Sequence, residues 1–287
     1  MTLTAPPDTS TESTGTPKPV PRSRSRRSAL AVVGPLAVFA VLIGIWYFIS
    51  NVVLDPDLQF LLPPPHQIIT EGFGDPDIRA ELLEALGRTT QVALTGLAAA
   101  IVIGAVWGIL MAMAKWAESA LFPYAVLLQC IPILALVPLI GFWFGFGFFA
   151  RVLVCILIAL FPMISNTLFG LQSVERGQLE LFRLQKASRW TVLRKLQFPA
   201  ALPAIFAGMR ISAGLAVVGA IVGDFFFRQG NPGIGILLSN YASRLQGPPL
   251  FAAILVAAFL GFAIFWIFGR LRTLAVGRWY DVTADGN

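Results

Sequence analysis

Six long apolar runs dominate the sequence and set its fold class. Each is about as long as the 20 or so apolar residues that a helix needs to cross the hydrocarbon core of a bilayer. The runs are residues 29–49, 90–114, 121–144, 148–171, 205–227 and 250–268. They are too long for barrel strands, and a helix satisfies its own backbone in lipid. The sequence therefore predicts an all-α, polytopic membrane protein with six transmembrane helices.

Charged residues are too scarce for an ordinary soluble domain. They make up 13% of the 287 residues, whereas soluble domains average about 25%. The net charge of +6 must therefore be interpreted with the membrane topology. We expect membrane lipid, and not nucleic acid, to surround this chain.

The two ends of the chain differ from its apolar centre. Residues 1–28 are rich in Thr, Pro and Ser and then in Arg, which predicts a disordered, basic cytoplasmic tail. The first apolar run is longer than the core of a cleaved signal peptide, so we expect it to remain as an anchor. Residues 29–272 form the predicted transmembrane domain, and 273–287 a cytoplasmic C-terminal tail.

Lysine and arginine residues are distributed unevenly between the two sides of the predicted membrane. If the N-terminus is cytoplasmic, 16 of the 21 lie inside, as the positive-inside rule expects. The outer five are Arg79, Arg88, Arg151, Arg228 and Arg244. We therefore predict that both termini are cytoplasmic and that residues 172–204 form the longest inner loop.

This inner loop has features of a docking element. Ser188 is expected to cap a short helix, in which Trp190, Leu193 and Leu196 are spaced i, i+3 and i+6 along one side. Pro199 is expected to end that helix. An ordinary basic inner loop is the alternative, but an apolar helix face is suited to a groove on a partner.

The same loop resembles the EAA loop of bacterial ATP-binding-cassette (ABC) importer permeases. That loop has the pattern E-A-A-x3-G-x9-I-x-L-P, and the spacing here fits it without a gap. Glu180 lies at the acidic position and Lys186 at the glycine. The last three motif positions are Leu196, Phe198 and Pro199. Leucine and phenylalanine stand in place of the two alanines.

The resemblance extends over most of the chain. Several segments are similar to the nitrate, sulfonate, taurine and pyrimidine-precursor branch of these permeases. They include ALGRTTQVALTGLAAAIVIGAVWGILMA, CIPILALVPLIGFWFGFG, FPMISNTLFGLQSV, FPAALPAIFAGMRISAG and GAIVGDFF. The chain is identified as a member of this family. The resemblance implies a type I ABC importer permease fold over residues 29–272, with 172–204 as the coupling loop.

The resemblance also implies the partners of the chain. The coupling loop would seat in a cleft of a separate ATPase dimer that binds ATP and Mg²⁺, so this chain would be neither an enzyme nor a cofactor-binding protein. An extracytoplasmic binding protein would deliver the substrate. One docking loop per chain predicts a homodimer of the permease. The residues expected to dock the ATPase are Glu180, Arg183, Lys186, Ser188, Trp190, Leu193, Leu196 and Pro199.

Lys186 is the departure from the motif with the clearest physical consequence. A glycine can turn the chain in the left-handed conformation, which a lysine adopts only at some cost. We therefore expect a regular helical turn with an outward lysine, which caps the upstream helix or pairs with an acid on the ATPase. A solvated lysine without a role is the alternative.

Polar and aromatic residues within the runs are candidates for a substrate path. Asp224 is either functional or paired with Arg228 one turn later. Pro132 and Pro138 are both expected to break the third span, and Trp143 belongs either to an outer gate or to an interfacial aromatic belt. The candidate set is Gln129, Pro132, Trp143, Asn166 and Asp224.

Two other function classes fit the sequence less well. An ion-coupled secondary transporter needs ion ligands in the membrane and usually an internal repeat, whereas Asp224 stands alone and no repeat is evident. A membrane enzyme lacks a catalytic set, because the single histidine, His66, lies among prolines. The resemblance implies that the substrate is an aromatic heterocycle, such as a thiamine, pyrimidine or riboflavin precursor, or a sulfonate- or nitrate-type anion. The few cations in the spans favour the heterocycle.

Overall fold

Helices form the framework of the protein. The computed structural model describes residues 24–227 and 231–276, with side chains from residue 33 to 275. In chain order the helices are α1 (Arg24–Phe48), α2 (Pro65–Gln67), α3 (Pro76–Met113), α4 (Lys115–Cys130), α5 (Ile133–Phe144), α6 (Phe148–Gln172), α7 (Arg176–Leu184), α8 (Arg189–Val192), α9 (Phe198–Phe226), α10 (Ile234–Ser243) and α11 (Gly247–Val276). Single 3-10 or π-type turns occupy Ile49–Val53, Pro56–Leu61, Ile68–Phe73 and Leu193–Gln197.

Five helical segments of the described ranges are long and apolar enough to cross a membrane. They are Val33–Val53, Pro76–Met113, Phe148–Gln172, Arg189–Phe226 and Gly247–Ala275. Helices α4 and α5 form a sixth apolar unit that is bent by 96°. The predicted all-α polytopic fold is therefore confirmed, and the predicted third span is a broken one.

The break in the third span lies at one of the two prolines predicted to cause it. Pro132 is the N-cap residue of α5, and a proline there has no backbone N–H to continue the ladder of α4. Pro138 lies inside α5 without interrupting it, so the break predicted there is wrong. The bend therefore follows from the position of Pro132 between α4 and α5. The presence of a proline in the span is not sufficient to bend it, as Pro138 shows.

The centre of the bundle is built from α3, α6 and α9, which approach closely through small residues. A Cβ atom added to Gly96 on α3 would lie 2.6 Å from the Cβ of Cys155, and one added to Gly219 on α9 would lie 2.8 Å from its Cα. Cys155, on α6, is fully buried between them. Such small-residue contacts are typical of helices that pack in membranes. They fix the positions of the three helices along the bundle axis relative to one another.

The helix that contains Pro199 does not end there. Residues Arg189–Phe226 form one continuous helical segment, in which the π-type turn Leu193–Gln197 immediately precedes Pro199. Local π adjustments of this kind accommodate the missing N–H and the ring of a proline. The predicted proline stop is therefore wrong, and the second helix of the coupling loop is the first part of the fifth span.

The first and last helices of the described chain extend into both predicted tails. Helix α1 begins at Arg24, so the last five residues of the predicted disordered tail, 24–28, are helical. Helix α11 continues to Val276, past the predicted boundary at residue 272. The remainder of both predicted tails, 1–23 and 277–287, lies outside the described residues.

Candidate functional site

A short amphipathic helix, α7, is exposed between the fourth and fifth spans. Leu181 and Leu184 lie on it and are 55% and 82% exposed, and Glu180 beside them is also exposed. At 100° per residue the three side chains fall within about 100° of arc. Exposed leucines of this kind, next to an acid and at the end of a membrane bundle, indicate a contact surface.

The turn after α7 is centred on Lys186. The N–H of Ala187 donates to the carbonyl of Phe182 at 3.0 Å, and that of Lys186 to the carbonyl of Arg183 at 2.9 Å. This pair of bonds is the Schellman motif, which places its C′ residue in the left-handed region. Lys186 accordingly has a φ of 52°. The expected regular helical turn is therefore wrong, because the lysine adopts the conformation that a glycine would supply.

The same bonds bear on the proposed capping role of the lysine side chain. The carbonyl oxygens of Phe182 and Arg183, at the end of α7, each already accept a hydrogen bond from a backbone N–H. An ammonium group is not needed to satisfy them. The exposed Lys186 side chain is thus directed at solvent or a partner, and pairing with an acid on the ATPase stays a prediction.

The segment after this turn is anchored to the ends of two spans. Ser188 Oγ accepts from the backbone N–H three residues on at 3.2 Å, which confirms the predicted N-cap. The guanidinium of Arg189 donates to the carbonyl of Met113, at the end of α3, at 3.3 Å. The side-chain amide of Gln197 donates to the carbonyl of Leu171, near the end of α6, at 3.2 Å. Motion of this segment is therefore linked to α3 and α6.

Burial divides the predicted docking residues into two groups. Trp190 is 61% exposed, whereas Leu193 is 5% exposed and packs in a core cluster with Met163 and Ile205. Leu196 is half-buried. Trp190 and Leu193 therefore lie in different environments. The predicted Trp190–Leu193–Leu196 face is corrected: Leu193 belongs to the protein core.

The surface that remains is named the coupling face here and consists of Glu180, Leu181, Leu184, Lys186 and Trp190. All five are exposed. Sequence reasoning missed the two leucines, although their spacing of three on an amphipathic helix was a usable signal. Of the other predicted docking residues, Arg183 and Ser188 are exposed and Pro199 is half-buried.

The opposite end of the bundle contains a buried ion pair. Asp224 Oδ1 lies 3.1 Å from an Nη atom of Arg151, and their side chains are 1% and 6% exposed. Thr89 Oγ1 donates to Asp224 Oδ2 at 2.7 Å and accepts from the N–H of Ile234 at 2.9 Å. The cluster therefore joins α3, α6, α9 and α10. Arg228, the partner weighed for Asp224, lies outside the described residues.

The chain that follows α9 is held by arginines at the same end. Arg151 also donates to the carbonyls of Phe227 and Asn231, at 2.7 and 3.3 Å. Arg88 donates to the carbonyl of Pro232 at 3.2 Å. These contacts give Asp224 and Arg151 a positioning role that the sequence did not reveal, because their pairing depends on how α6 packs against α9.

The residues predicted to line a substrate path are spread over the molecule. Gln129, Pro132 and Trp143 are exposed, on α4, at the break and on α5. Asn166 is half-buried on α6, and Asp224 is fully buried. Asn166 lies fifteen residues along α6 from the arginine that Asp224 contacts, which is about 22 Å. A path through them stays a prediction, and for Asp224 it requires the ion pair to open.

Comparison with known proteins decides the family. Residues 90–273 match the family described as binding-protein-dependent transport system inner membrane component. The chain belongs to this family. The matched region contains the coupling face and both residues of the buried ion pair. The permease is thus a multi-pass protein of the inner membrane.

Curated relatives place the permease in one branch of the family. It is 32% identical to the formylaminopyrimidine transport permease ThiX of Halalkalibacterium halodurans, over 84% of this chain and 93% of ThiX. It is 32% identical to the riboflavin transport system permease RibX of Chloroflexus aurantiacus, over 90% and 95%. It is 30% identical to the putative aliphatic sulfonates transport permease SsuC of Bacillus subtilis, over 84% and 85%. The predicted branch of ABC importer permeases is confirmed.

A solved structure supports the fold of the permease. A chain of the MetNI methionine ABC transporter, in an inward-facing conformation, aligns with a TM-score of 0.59 and 17% identity. The alignment covers 70% of the permease and 98% of that chain. The predicted type I ABC importer permease fold is therefore confirmed.

Proposed function

We propose that this permease is the membrane subunit through which a separate ABC ATPase drives the uptake of a small organic solute. It would act as two copies with an ATPase dimer, and an extracytoplasmic binding protein would deliver the solute. ATP and Mg²⁺ would bind to the ATPase. Family membership supports this assignment, and the coupling face is the observation that carries it.

The coupling face has the properties that transmission of force requires. Its apolar side chains are exposed on a short helix, and its turn is fixed by two backbone hydrogen bonds. The segment next to it contacts the ends of α3 and α6 through Arg189 and Gln197. A displacement of the coupling face by a partner would therefore reach the spans directly.

The coupling face would lie in the cytoplasm. With that orientation 16 of the 21 lysines and arginines are on the inner side, as the positive-inside rule expects. The buried ion pair would then lie near the outer surface. Proteolysis of sealed inverted vesicles at Arg183 or Lys186, and protection of the same sites in intact cells, would be the expected result.

A pair of matched substitutions tests the docking of the ATPase. Leu184→Asp places a charge on the coupling face. Leu83→Asp places one at a similarly exposed leucine near the start of α3, at the end of the bundle remote from the coupling face. Loss of an anchor residue commonly costs at least about 2 kcal/mol, or roughly 30-fold in affinity. Co-purification of the ATPase should fail with Leu184→Asp and persist with Leu83→Asp. Retention by both variants would refute the assignment.

We further propose that the solute is an aromatic heterocycle. Two of the relatives are named for a formylaminopyrimidine and for riboflavin. Two cations within the described spans are already engaged inside the chain: Arg151 contacts Asp224, and the guanidinium of Arg210 lies 3.8 Å from the ring centroid of Phe265. Passage of an anionic solute would be more favourable if a cationic side chain were directed at the path.

The binding protein offers the direct test of this substrate class. Calorimetric titration with pyrimidine and flavin precursors should show saturable binding, and titration with taurine, alkyl sulfonates and nitrate should not. Binding of the anions alone would overturn the heterocycle proposal and leave the docking proposal untouched.

A further inference from the structure

A basic cavity lies between the end of α3 and the segment that follows α7. Its volume is about 640 Å³. Three cations line it, namely Lys115, Arg183 and Arg189, and they come from the start of α4, from α7 and from α8. Elements far apart in sequence thus bring their positive charges to one concave surface.

The charges of this cavity are not neutralised by ion pairs within the described part of the chain. The two ion pairs between described side chains are Arg88–Glu84 and Arg151–Asp224, at the other end of the bundle. Arg189 is held in place by its hydrogen bond to the carbonyl of Met113. The cavity therefore presents fixed positive charge for an anionic group.

The walls of the cavity indicate where it opens. Met113 and Trp116 also line it and are 40% and 77% exposed. Met113 is the last residue of a span, and Trp116 lies one residue into the next helix beside Lys115. A tryptophan and a lysine at the end of an apolar helix mark the boundary between hydrocarbon and water. The cavity thus lies at the level of lipid headgroups.

We propose that this cavity binds the headgroup of an anionic phospholipid in the leaflet on the side of the coupling face. The phosphate would lie among the three cations, as basic pockets between helices recognise such headgroups. The acyl chains would lie against Met113 and Trp116. Because Arg189 both lines the cavity and holds the segment after α7 to α3, a bound lipid would stabilise the position of the coupling face.

The test uses the full-length permease purified without any ATPase, since Arg183 also lies in the predicted docking segment. Native mass spectrometry would measure the binding of phosphatidylglycerol and of phosphatidylcholine. The variant Lys115→Gln/Arg183→Gln removes two cations of the cavity. Arg194→Gln/Lys195→Gln removes two exposed cations of the same segment that do not line it.

The unsubstituted chain should retain phosphatidylglycerol in preference to phosphatidylcholine. The cavity variant should bind phosphatidylglycerol about 30-fold more weakly. Each basic residue near an anionic surface contributes roughly fivefold in affinity, and this variant lacks two. The control variant should bind it normally. Glycerol phosphate should not compete, because it lacks the acyl chains.

Three results would each overturn the proposal. An equal loss in both double variants would mean that the lipid responds only to total charge. Full competition by glycerol phosphate would assign the cavity to a small phosphate compound. Unchanged lipid binding by the cavity variant, together with lost ATPase binding in a separate pull-down, would assign it to an acidic segment of the ATPase.

Discussion

Arg151 and Asp224 form an ion pair with an N–O distance of 3.1 Å, and less than a tenth of either side chain is exposed. The arginine comes from α6 and the aspartate from α9, two helices of the central bundle. Thr89 on α3 completes the contact to the carboxylate at 2.7 Å. One polar cluster therefore fixes the relative positions of three spans at the end remote from the coupling face.

Neutralising one partner of this pair should destabilise the permease strongly. Asp224→Asn keeps the shape of the side chain but leaves the arginine charge buried without its counter-ion, which typically costs 3–5 kcal/mol. Thr89→Val removes a hydrogen bond to the carboxylate, which should cost about 1.5–3 kcal/mol, and also leaves the N–H of Ile234 without its acceptor. Thermal unfolding in one detergent, followed by tryptophan fluorescence, would rank the variants.

A double variant separates the ion pair from general packing damage. Arg151→Met/Asp224→Leu removes both charges, and buried pairs replaced by apolar residues are often tolerated. The double variant should therefore unfold at a higher temperature than Asp224→Asn. An Asp224→Asn protein as stable as the unsubstituted chain would contradict the structural role of the pair.

Leu193 should act on the stability of the permease and not on its contact with the ATPase. Its side chain is 5% exposed and packs against Met163, Leu171, Ala201 and Ile205. Leu193→Ala leaves a cavity and should cost about 2–5 kcal/mol. Its thermal midpoint should fall, whereas the folded fraction should bind the ATPase normally. Normal stability combined with weak ATPase binding would return Leu193 to the docking surface.

Local chemistry was predictable from the sequence where it acts over a few residues. The Ser188 cap and the break at Pro132 follow from interactions within one or two turns of helix, and the spans follow from apolar runs that are continuous in sequence. Pro199 shows the limit of that reasoning, because the adjoining π-type turn lets the helix continue. A rule based on neighbouring residues does not include the packing along the whole span, which favours an unbroken helix.

Contacts between distant segments were not accessible to the same reasoning. Arg151 precedes Asp224 by 73 residues, and only the packing of α6 on α9 brings the two together. The nearest basic residue in sequence, Arg228, was therefore the partner considered. Leu193 was misplaced for a related reason, since a stripe of apolar residues does not indicate which side of a helix the protein covers.

The permease should assemble as a homodimer in its complex. One coupling face per chain and a dimeric ATPase call for two copies about a two-fold axis, and closed symmetry is the usual solution. Mass measurement of the intact complex should give two permease chains of 31.0 kDa. Recovery of one copy together with a different permease chain would refute homodimerisation.

Lys186 offers a test of what the motif glycine contributes. A non-glycine residue in the left-handed region costs about 1–2 kcal/mol, and glycine returns about 0.5–1 kcal/mol of that as extra freedom in the unfolded chain. Lys186→Gly should therefore stabilise the permease by up to about 1.5 kcal/mol, as measured by thermal unfolding. A clear fall in stability would contradict the strain implied by a φ of 52°.

Leu245 supplies a matched control for the same change. It has a φ of 55° and ends α10 with the same two bonds, from its own N–H to Ala242 and from the N–H of Gln246 to Tyr241. Leu245→Gly should give a similar gain in stability without any effect on the ATPase, because it lies away from the coupling face.

Affinity for the ATPase then separates the backbone of Lys186 from its charge. Lys186→Gln keeps the strained backbone and removes the charge, whereas Lys186→Gly removes both. If the charge pairs with an acid on the ATPase, both variants should bind the ATPase more weakly, and added salt should reduce the difference from the unsubstituted chain. If binding is unchanged in both variants while Lys186→Gly alone is stabilised, the lysine contributes only an unfavourable turn, and the pairing hypothesis fails.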